Sequence, residues 1–392
     1  MQFFTLKDFD FKDKRVLIRV DMNVPVDDKG KIINDKKIRS SLPTIEYILN
    51  KGGKVVLMSQ LGRPNGEIVK HLRLNNVAKR LSKLLRRDVK KLNDCVDIKL
   101  TDDDIIMLEN LRFHKEEEMN DEGFGKKLAS LADIYVNDAF GTSHRAHASF
   151  VAVTKFLPSV AGLLLEKEIH ILSEAMENPE KPCVAVLGGA KISDKLGLIH
   201  NLLRKVDKIL LGGAMVFTFF KAQGYNVGES LVEDDKLELV EDLMFRKRII
   251  LPVDVVVGDK MIKNAKSKVV SINKIPKSWM GLDIGPKTIE LFKNELANSK
   301  TVIWNGPLGA FEYPKFEEGT KKITEFIAGL DANTIAGGGE TNSALEKYKL
   351  SDKFTYVSTG GGAFLEFIQG KTLPGISALI HNCDHINSQN RD

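Results

Sequence analysis

The segment Val184-Ala-Val-Leu-Gly-Gly-Ala-Lys-Ile-Ser-Asp-Lys-Leu-Gly197 constrains this chain more than any other. A short apolar run stops at two glycines, and a polar stretch carrying Lys191 and Lys195 leads into the helix-like residues 196–206. Glycines without Cβ let backbone N–H groups approach an anion closely, a helix start adds partial positive charge, and the lysines add full charges. A single copy is equally an ordinary strand-to-helix turn with two surface lysines. The same punctuation recurs, however: Gly212-Gly213 follows Ile209-Leu-Leu, Asn305-Gly306-Pro307 follows Val302-Ile-Trp, Gly337-Gly338-Gly339 follows Thr334-Ile-Ala, and Gly360-Gly361-Gly362 follows Tyr356-Val-Ser-Thr. Ligands of an open parallel sheet bind at the carboxyl ends of its strands, so these glycine-ended runs predict one crevice suited to nucleotide phosphates.

The first half alternates apolar runs (15–20, 54–59, 105–108, 134–136) with helix-period segments (41–50, 74–86, 125–131), which predicts a second doubly wound parallel sheet. Its strand ends carry polar side chains instead of glycines: Asp21 and Asn23, then Gln60-Leu-Gly-Arg63, Glu109-Asn-Leu-Arg112, Asn137-Asp138 and Thr142-Ser-His-Arg145. Singly, Arg63, Arg112 and Arg145 also suit surface ion pairs, and Asp21 and Asn23 also suit a turn cap. Three guanidinium forks at three strand ends match a multiply charged anion. Residues 163–176, closed by Asn178-Pro179 and Pro182, read as the connection between the halves, and 376–392 as a short polar tail that returns to the first one.

At 392 residues the chain exceeds one typical core. The expected division is 1–162, a linker at 163–182, and 183–375. A net charge of +5 spread among many acidic residues suits a small anionic substrate and predicts no nucleic-acid partner. The basic run from Lys79 to Lys90-Lys91, interleaved with Val77, Leu81, Leu84 and Leu85, reads as an amphipathic helix with a solvated face. Three dispersed cysteines and no long apolar run predict a cytoplasmic protein without a membrane span. Gly370-Lys371-Thr372 lacks the first glycine of a P-loop, no G-x-G-x-x-G occurs, and His381, Cys383 and His385 belong to the polar tail.

Taken together, Arg19-Val-Asp-Met-Asn-Val-Pro25, Leu61-Gly-Arg-Pro64, Glu109-Asn-Leu-Arg-Phe-His114, Val136-Asn-Asp-Ala-Phe-Gly-Thr-Ser-His-Arg-Ala-His147, Leu187-Gly-Gly-Ala-Lys191, Trp304-Asn-Gly-Pro307 and Ser358-Thr-Gly-Gly-Gly362 resemble the phosphoglycerate kinase family across almost the whole chain. The resemblance implies two Rossmann-like domains joined by a hinge and an interdomain helix, acting as a monomer. The first would bind 3-phosphoglycerate or 1,3-bisphosphoglycerate, and the second Mg-ADP or Mg-ATP. It implies that Asp21, Asn23, Lys37, Gln60, Leu61, Gly62, Arg63, Arg112 and Arg145 hold the phosphoglycerate. Gly189, Ala190, Lys191, Lys195, Gly212, Gly213, Gly281, Leu282, Asn305, Glu312, Gly338, Gly339, Glu340 and Thr341 would hold the nucleotide. Lys37, Arg39, Lys191, Lys195, Gly361 and Gly362 would serve the transfer, and Glu340 the Mg²⁺.

Three positions depart from the family pattern. Lys37 stands where the family has an arginine, Gln60 where it has a histidine, and Glu340 where it has an aspartate. Lysine keeps the charge but loses the bidentate fork, so either Lys37 substitutes or Arg39 is recruited. These departures admit two readings, an active kinase and a weakened relative kept for binding or scaffolding. ATP formation from 1,3-bisphosphoglycerate separates them.

Overall fold

The strands of the first half are β1 (Arg15–Val20), β2 (Lys54–Met58), β3 (Lys90–Lys91), β4 (Ile105–Met107), β5 (Ile134–Asp138) and β6 (Ser159–Ala161), of which β1, β2, β4 and β5 are the apolar runs. The strands of the second half are β7 (Cys183–Leu187), β8 (Lys208–Leu211), β9 (Ile249–Ile250), β10 (Asp254–Gly258), β11 (Ser267–Ser271), β12 (Met280–Ile284), β13 (Thr301–Asn305), β14 (Asn333–Ala336) and β15 (Tyr356–Val357). This computed structural model describes residues 2–246 and 248–389. They fall into two units, one running up to His170 and resuming at Thr372, the other spanning Ile171–Lys371. The division lies inside the helix Leu163–Glu177.

Among the described residues each unit holds a six-stranded, all-parallel sheet, ordered β3-β4-β2-β1-β5-β6 in the first and β15-β14-β13-β7-β8-β9 in the second. The central strands β5, β7 and β13 are buried at every residue, as helices on both faces of a parallel sheet require. Strand order reverses between β1 and β5 and between β7 and β13. These are the switch points at which such sheets open a crevice. Trp304 fixes the second one: it is fully buried, and its indole Nε1 donates to the Gly306 carbonyl at 2.8 Å. Replacing it with alanine would cost about 3–5 kcal/mol.

The structure corrects the sequence reading at three places. The basic run is not helical throughout: the helix Asn75–Leu85 stops at Arg86, whose φ of 54° is left-handed, and Lys90–Lys91 is an edge strand. Lysines there extend along the sheet edge because Lys91 pairs with Glu109 at 2.9 Å. The short polar tail is instead the helix Pro374–Gln389, with Cys383 buried. Asn382 holds it to the first unit, donating to Thr154 and Leu157 carbonyls at 2.7 and 3.0 Å and accepting from the Ser159 N–H at 2.9 Å. The third is an antiparallel sheet, β11-β10-β12, that strand–helix alternation does not foresee. No helix among the described residues is long and apolar enough to cross a membrane.

Candidate active site

In the first unit, side chains beyond β1, β2 and β4 tie one another into a rigid polar surface. Asp21 is nearly buried and accepts from Lys37 Nζ at 2.8 Å. The Asn23 carboxamide oxygen accepts from the Gly62 N–H at 2.9 Å, and Arg112 Nη1 donates to the Gly62 carbonyl at 2.8 Å. Asn110 adds bonds to both backbone groups of Leu61, at 3.1 and 2.7 Å. The loop 60–63 is thereby clamped from both sides, leaving Arg63 exposed at its tip. Arg145 is exposed too, and neither arginine has a side-chain ion pair or hydrogen bond among the described residues. The Arg112 guanidinium senses the other two. Burial lowers the Arg112 pKa first; Glu118 and Glu117 oppose that, and Arg145 and Arg63 lower it further by repulsion. Arg112 is partly neutralised by Glu118 at 3.3 Å, so the unpartnered charges of Arg63 and Arg145 are the ones left to attract an anion.

Two expected residues sit elsewhere. Successive helical residues turn about 100°, so Lys37 and Arg39 on the short helix Lys36–Ser40 point to opposite sides. Arg39 pairs with Asp35 at 3.0 Å, which Arg80 also holds, and it is absent from the Asp21 cluster. Gln60 is fully buried behind Asp21. Its oxygen accepts from Arg19 Nη2 and its amide donates to Asp21 at 3.4 Å, so it orients Asp21 instead of facing a ligand.

Arg19 is the residue that sequence reasoning overlooked. It is fully buried, donates to Ser149 Oγ at 2.8 Å, and stacks over Phe150 at 4.5 Å. Ser149 in turn donates to buried Glu117 at 2.6 Å. Desolvation lowers the Arg19 pKa, and the charge of Glu117 opposes that loss. Arg19 lies inside a quoted motif, but Glu117, in the run Glu116-Glu-Glu118, carries no signal of burial.

In the second unit the ends of β7, β8, β13 and β14 converge. A Cβ on Gly306 would land on the Gly188 carbonyl, and Gly306 has a φ of 91°. A Cβ on Gly213, at φ 71°, would strike the Gly189 backbone. Only glycine lets these turns come so close. Lys195 stands at the start of the helix Leu196–Leu202, only 8% exposed, with Nζ bonded to Asn305 Oδ1. Asn305 also donates to the Gly337 carbonyl at 2.6 Å, and Thr341 Oγ1 accepts from the Gly306 N–H at 2.7 Å. Burial lowers the Lys195 pKa, while Glu340 and Asp194 draw it back up.

Lys191, Ala190, Gly339 and Gly362 are exposed, and Gly361 begins the helix Gly362–Ile368 next to the Gly339 N–H. A Cβ on Gly338, at φ 111°, would meet the Asn305 amide. Gly212 packs on Leu308, and Gly281 against the ring of Phe217. Leu282 accepts from the Ala310 N–H at 2.8 Å, tying the β12 strand to the loop that presents exposed Glu312. Phe217, the buried ring that a Cβ on Gly281 would strike, is a contact that no motif announces.

The family model for phosphoglycerate kinase matches residues 6–371. A phosphoglycerate kinase of Dictyoglomus turgidum is 53% identical over 387 residues, covering 95% of this chain and 97% of that protein. One of Gloeothece citriformis is 53% identical over 386 residues, covering 94% and 96%. The solved structure of phosphoglycerate kinase from Coxiella burnetii superposes with a TM-score of 0.90 at 41% identity, covering 97% of this chain and 100% of that one. That from Pyrococcus horikoshii gives 0.83 at 32% identity, covering 97% and 99%.

Proposed function

The chain belongs to the phosphoglycerate kinase family, and we propose how its own residues carry out that family's reaction. The reaction is the glycolytic, reversible transfer of a phosphoryl group from 1,3-bisphosphoglycerate to ADP, giving 3-phosphoglycerate and ATP. The bond from phosphorus to the acyl oxygen breaks, a bond from phosphorus to a β-phosphate oxygen of ADP forms, and the leaving group is a carboxylate. No proton need move between carbon acids and bases, so positioning and positive charge supply the catalysis.

The observation that carries the reading is Lys195, a buried cation fixed by Asn305 at the reversal point of a glycine-ended sheet. We assign it to the moving phosphoryl group, with exposed Lys191 on the nucleotide phosphates. The N–H groups at Gly338, Gly339, Gly361 and Gly362 donate to phosphate oxygens. Gly189, Ala190, Gly212, Gly213, Gly281, Leu282, Asn305 and Thr341 shape the nucleotide seat, and Glu312 reaches the ribose. Arg63, Arg112 and Arg145 grip the phosphoglycerate, with Asp21, Asn23, Leu61 and Gly62 supporting them. Lys37, held by Asp21, takes the place of the family's arginine, since Arg39 faces Asp35.

Glu340 fits Mg²⁺: it is an exposed carboxylate in the first turn of the helix Gly339–Lys347, within electrostatic reach of Lys195. Mg²⁺ needs one or two such oxygens besides phosphates and water, and when bound it neutralises phosphate charge. Glu340→Ala should weaken the magnesium dependence of ATP binding, and an unchanged dependence removes the role.

Acid recognition is assigned to residues 1–162 with the tail 376–392, nucleotide recognition to 183–375, and hinge motion to 163–182. Water would hydrolyse the acyl phosphate, so the chemistry requires both ligands in one closed space. Both sets of residues come from one chain, so a monomer suffices, working in the cytoplasm. Coupled measurement of ATP formation from 1,3-bisphosphoglycerate and Mg-ADP tests the reading. No ATP above the uncatalysed rate would overturn it.

A further inference from the structure

One cluster lies outside the groups used above. Asp94 and Cys95 follow the β3 edge strand, and His114 follows the short helix Leu111–Phe113. Their ligand atoms, a carboxylate oxygen, Sγ and a ring nitrogen, all lie within 4.8 Å of one another, and His114 Nε2 is 2.7 Å from Asp94 Oδ1. The backbone holds them there: Cys95 N–H donates to Asp94 Oδ1 at 2.7 Å, and Glu109 N–H to the Asp94 carbonyl at 3.3 Å. Cys95 is fully buried while Asp94 and His114 reach solvent, so an ion has a polar entrance and a soft donor at its floor.

We propose that Asp94, Cys95 and His114 form a site for a thiophilic divalent cation of the Zn²⁺ type, with water as fourth ligand. The donor set is one thiolate, one imidazole and one carboxylate, which is the chemistry of tetrahedral zinc and unlike the all-oxygen octahedron of Mg²⁺. Tetrahedral bonds of about 2.0–2.3 Å put ligand atoms about 3.3–3.8 Å apart, so the three need shift by only about 1 Å. The carboxylates of Asp94, Glu117 and Glu109 favour a cation beside Cys95, while burial and those same charges keep the thiol protonated until a metal displaces its proton. Binding replaces the Asp94–His114 hydrogen bond by two metal bonds and releases the thiol proton to solvent. The site stands two residues from Arg112, yet among the described residues none of its members makes a hydrogen bond or ion pair with the phosphoglycerate residues assigned above.

The test is titration of the chelator-treated full chain with Co²⁺ alone, followed by its visible and near-ultraviolet absorption. The expected result is one equivalent bound, with the intense bands of tetrahedral cobalt and a sulfur-to-cobalt charge-transfer band that Zn²⁺ abolishes. Cys95→Ser should lose the charge-transfer band, and Asp94→Asn, at a half-exposed position that leaves the core untouched, should weaken binding about tenfold or more. ATP formation should stay as in the parent chain for both. Absence of the bands in the parent chain overturns the proposal. So does a charge-transfer band that survives in Cys95→Ser, which would assign it to Cys183 or Cys383, or cobalt affinity unchanged in Asp94→Asn.

Discussion

The two units share a six-stranded parallel architecture, in different strand orders, and carry opposite surface chemistry. Both present the carboxyl ends of a parallel sheet, but the first lines them with arginines on a clamped polar network and the second strips them to glycine backbone with one buried lysine. Side-chain forks recognise a small acid by shape and charge, and the loop that carries Arg63 needs buried Asn110 behind it, as Asp21 needs Gln60 and Arg19. A glycine floor lets a long polyphosphate lie against N–H groups that the fold already fixes. The lesson is that precision comes from buried side chains in one unit and from forbidden Cβ atoms in the other.

Variants in the second unit should therefore strike the chemical step, and those in the first should strike acid binding. The largest effect is expected for Lys195→Ala, which removes the charge assigned to the transferring group: turnover should fall about 10³-fold or more, with the phosphoglycerate KM little changed. Steady-state kinetics in both substrates decides, and a loss confined to KM would break the contrast. Next comes Arg63→Ala, which removes an unpartnered fork. Phosphoglycerate affinity should fall about tenfold to a hundredfold, while ADP affinity measured by calorimetry stays constant. Lys37→Arg restores a bidentate donor beside Asp21 and should raise turnover about two- to fivefold; a rate unchanged or lower would show that lysine costs nothing there.

The smallest effect on turnover is expected for Asp138→Asn, at the end of β5. The Asp138 carboxyl is buried, accepts from the Leu164 N–H at 2.9 Å, and has an Oδ2 without a hydrogen-bond partner. Burial raises its pKa to about 7. A folded-state pKa above the unfolded value means stability that is complete at acid pH and is lost as pH rises toward and through about 7. Urea unfolding of the parent chain should weaken by about 1–4 kcal/mol from pH 4 to pH 8, and Asp138→Asn should flatten that slope. An identical slope in both would mean that Asp138 stays ionised in the folded protein.

Much of this was legible in the sequence because the signals are local. An apolar run ended by Gly188-Gly189 or Gly337-Gly338-Gly339 states both the strand and the reason for its end, and the five such runs of the second half do lie in one sheet. Arg63, Arg112 and Arg145 could be named because each follows a strand whose run is plain. The antiparallel strands β10 to β12 were not, since Ser267–Ser271 alternates too weakly and pairs across a chain reversal that no turn motif announces.

The sequence by itself determined the two parallel sheets, the glycine ends and the arginines, because periodicity and backbone sterics act over a few residues. Tertiary structure alone decided which charges meet. Lys37 and not Arg39 reaches Asp21 because two residues of a helix face opposite ways. Gln60 is sealed behind Asp21 by Arg19, which Glu117 anchors through Ser149 from almost a hundred residues away. A buried charge must find a partner wherever the fold brings one, and spacing along the chain does not record where that is.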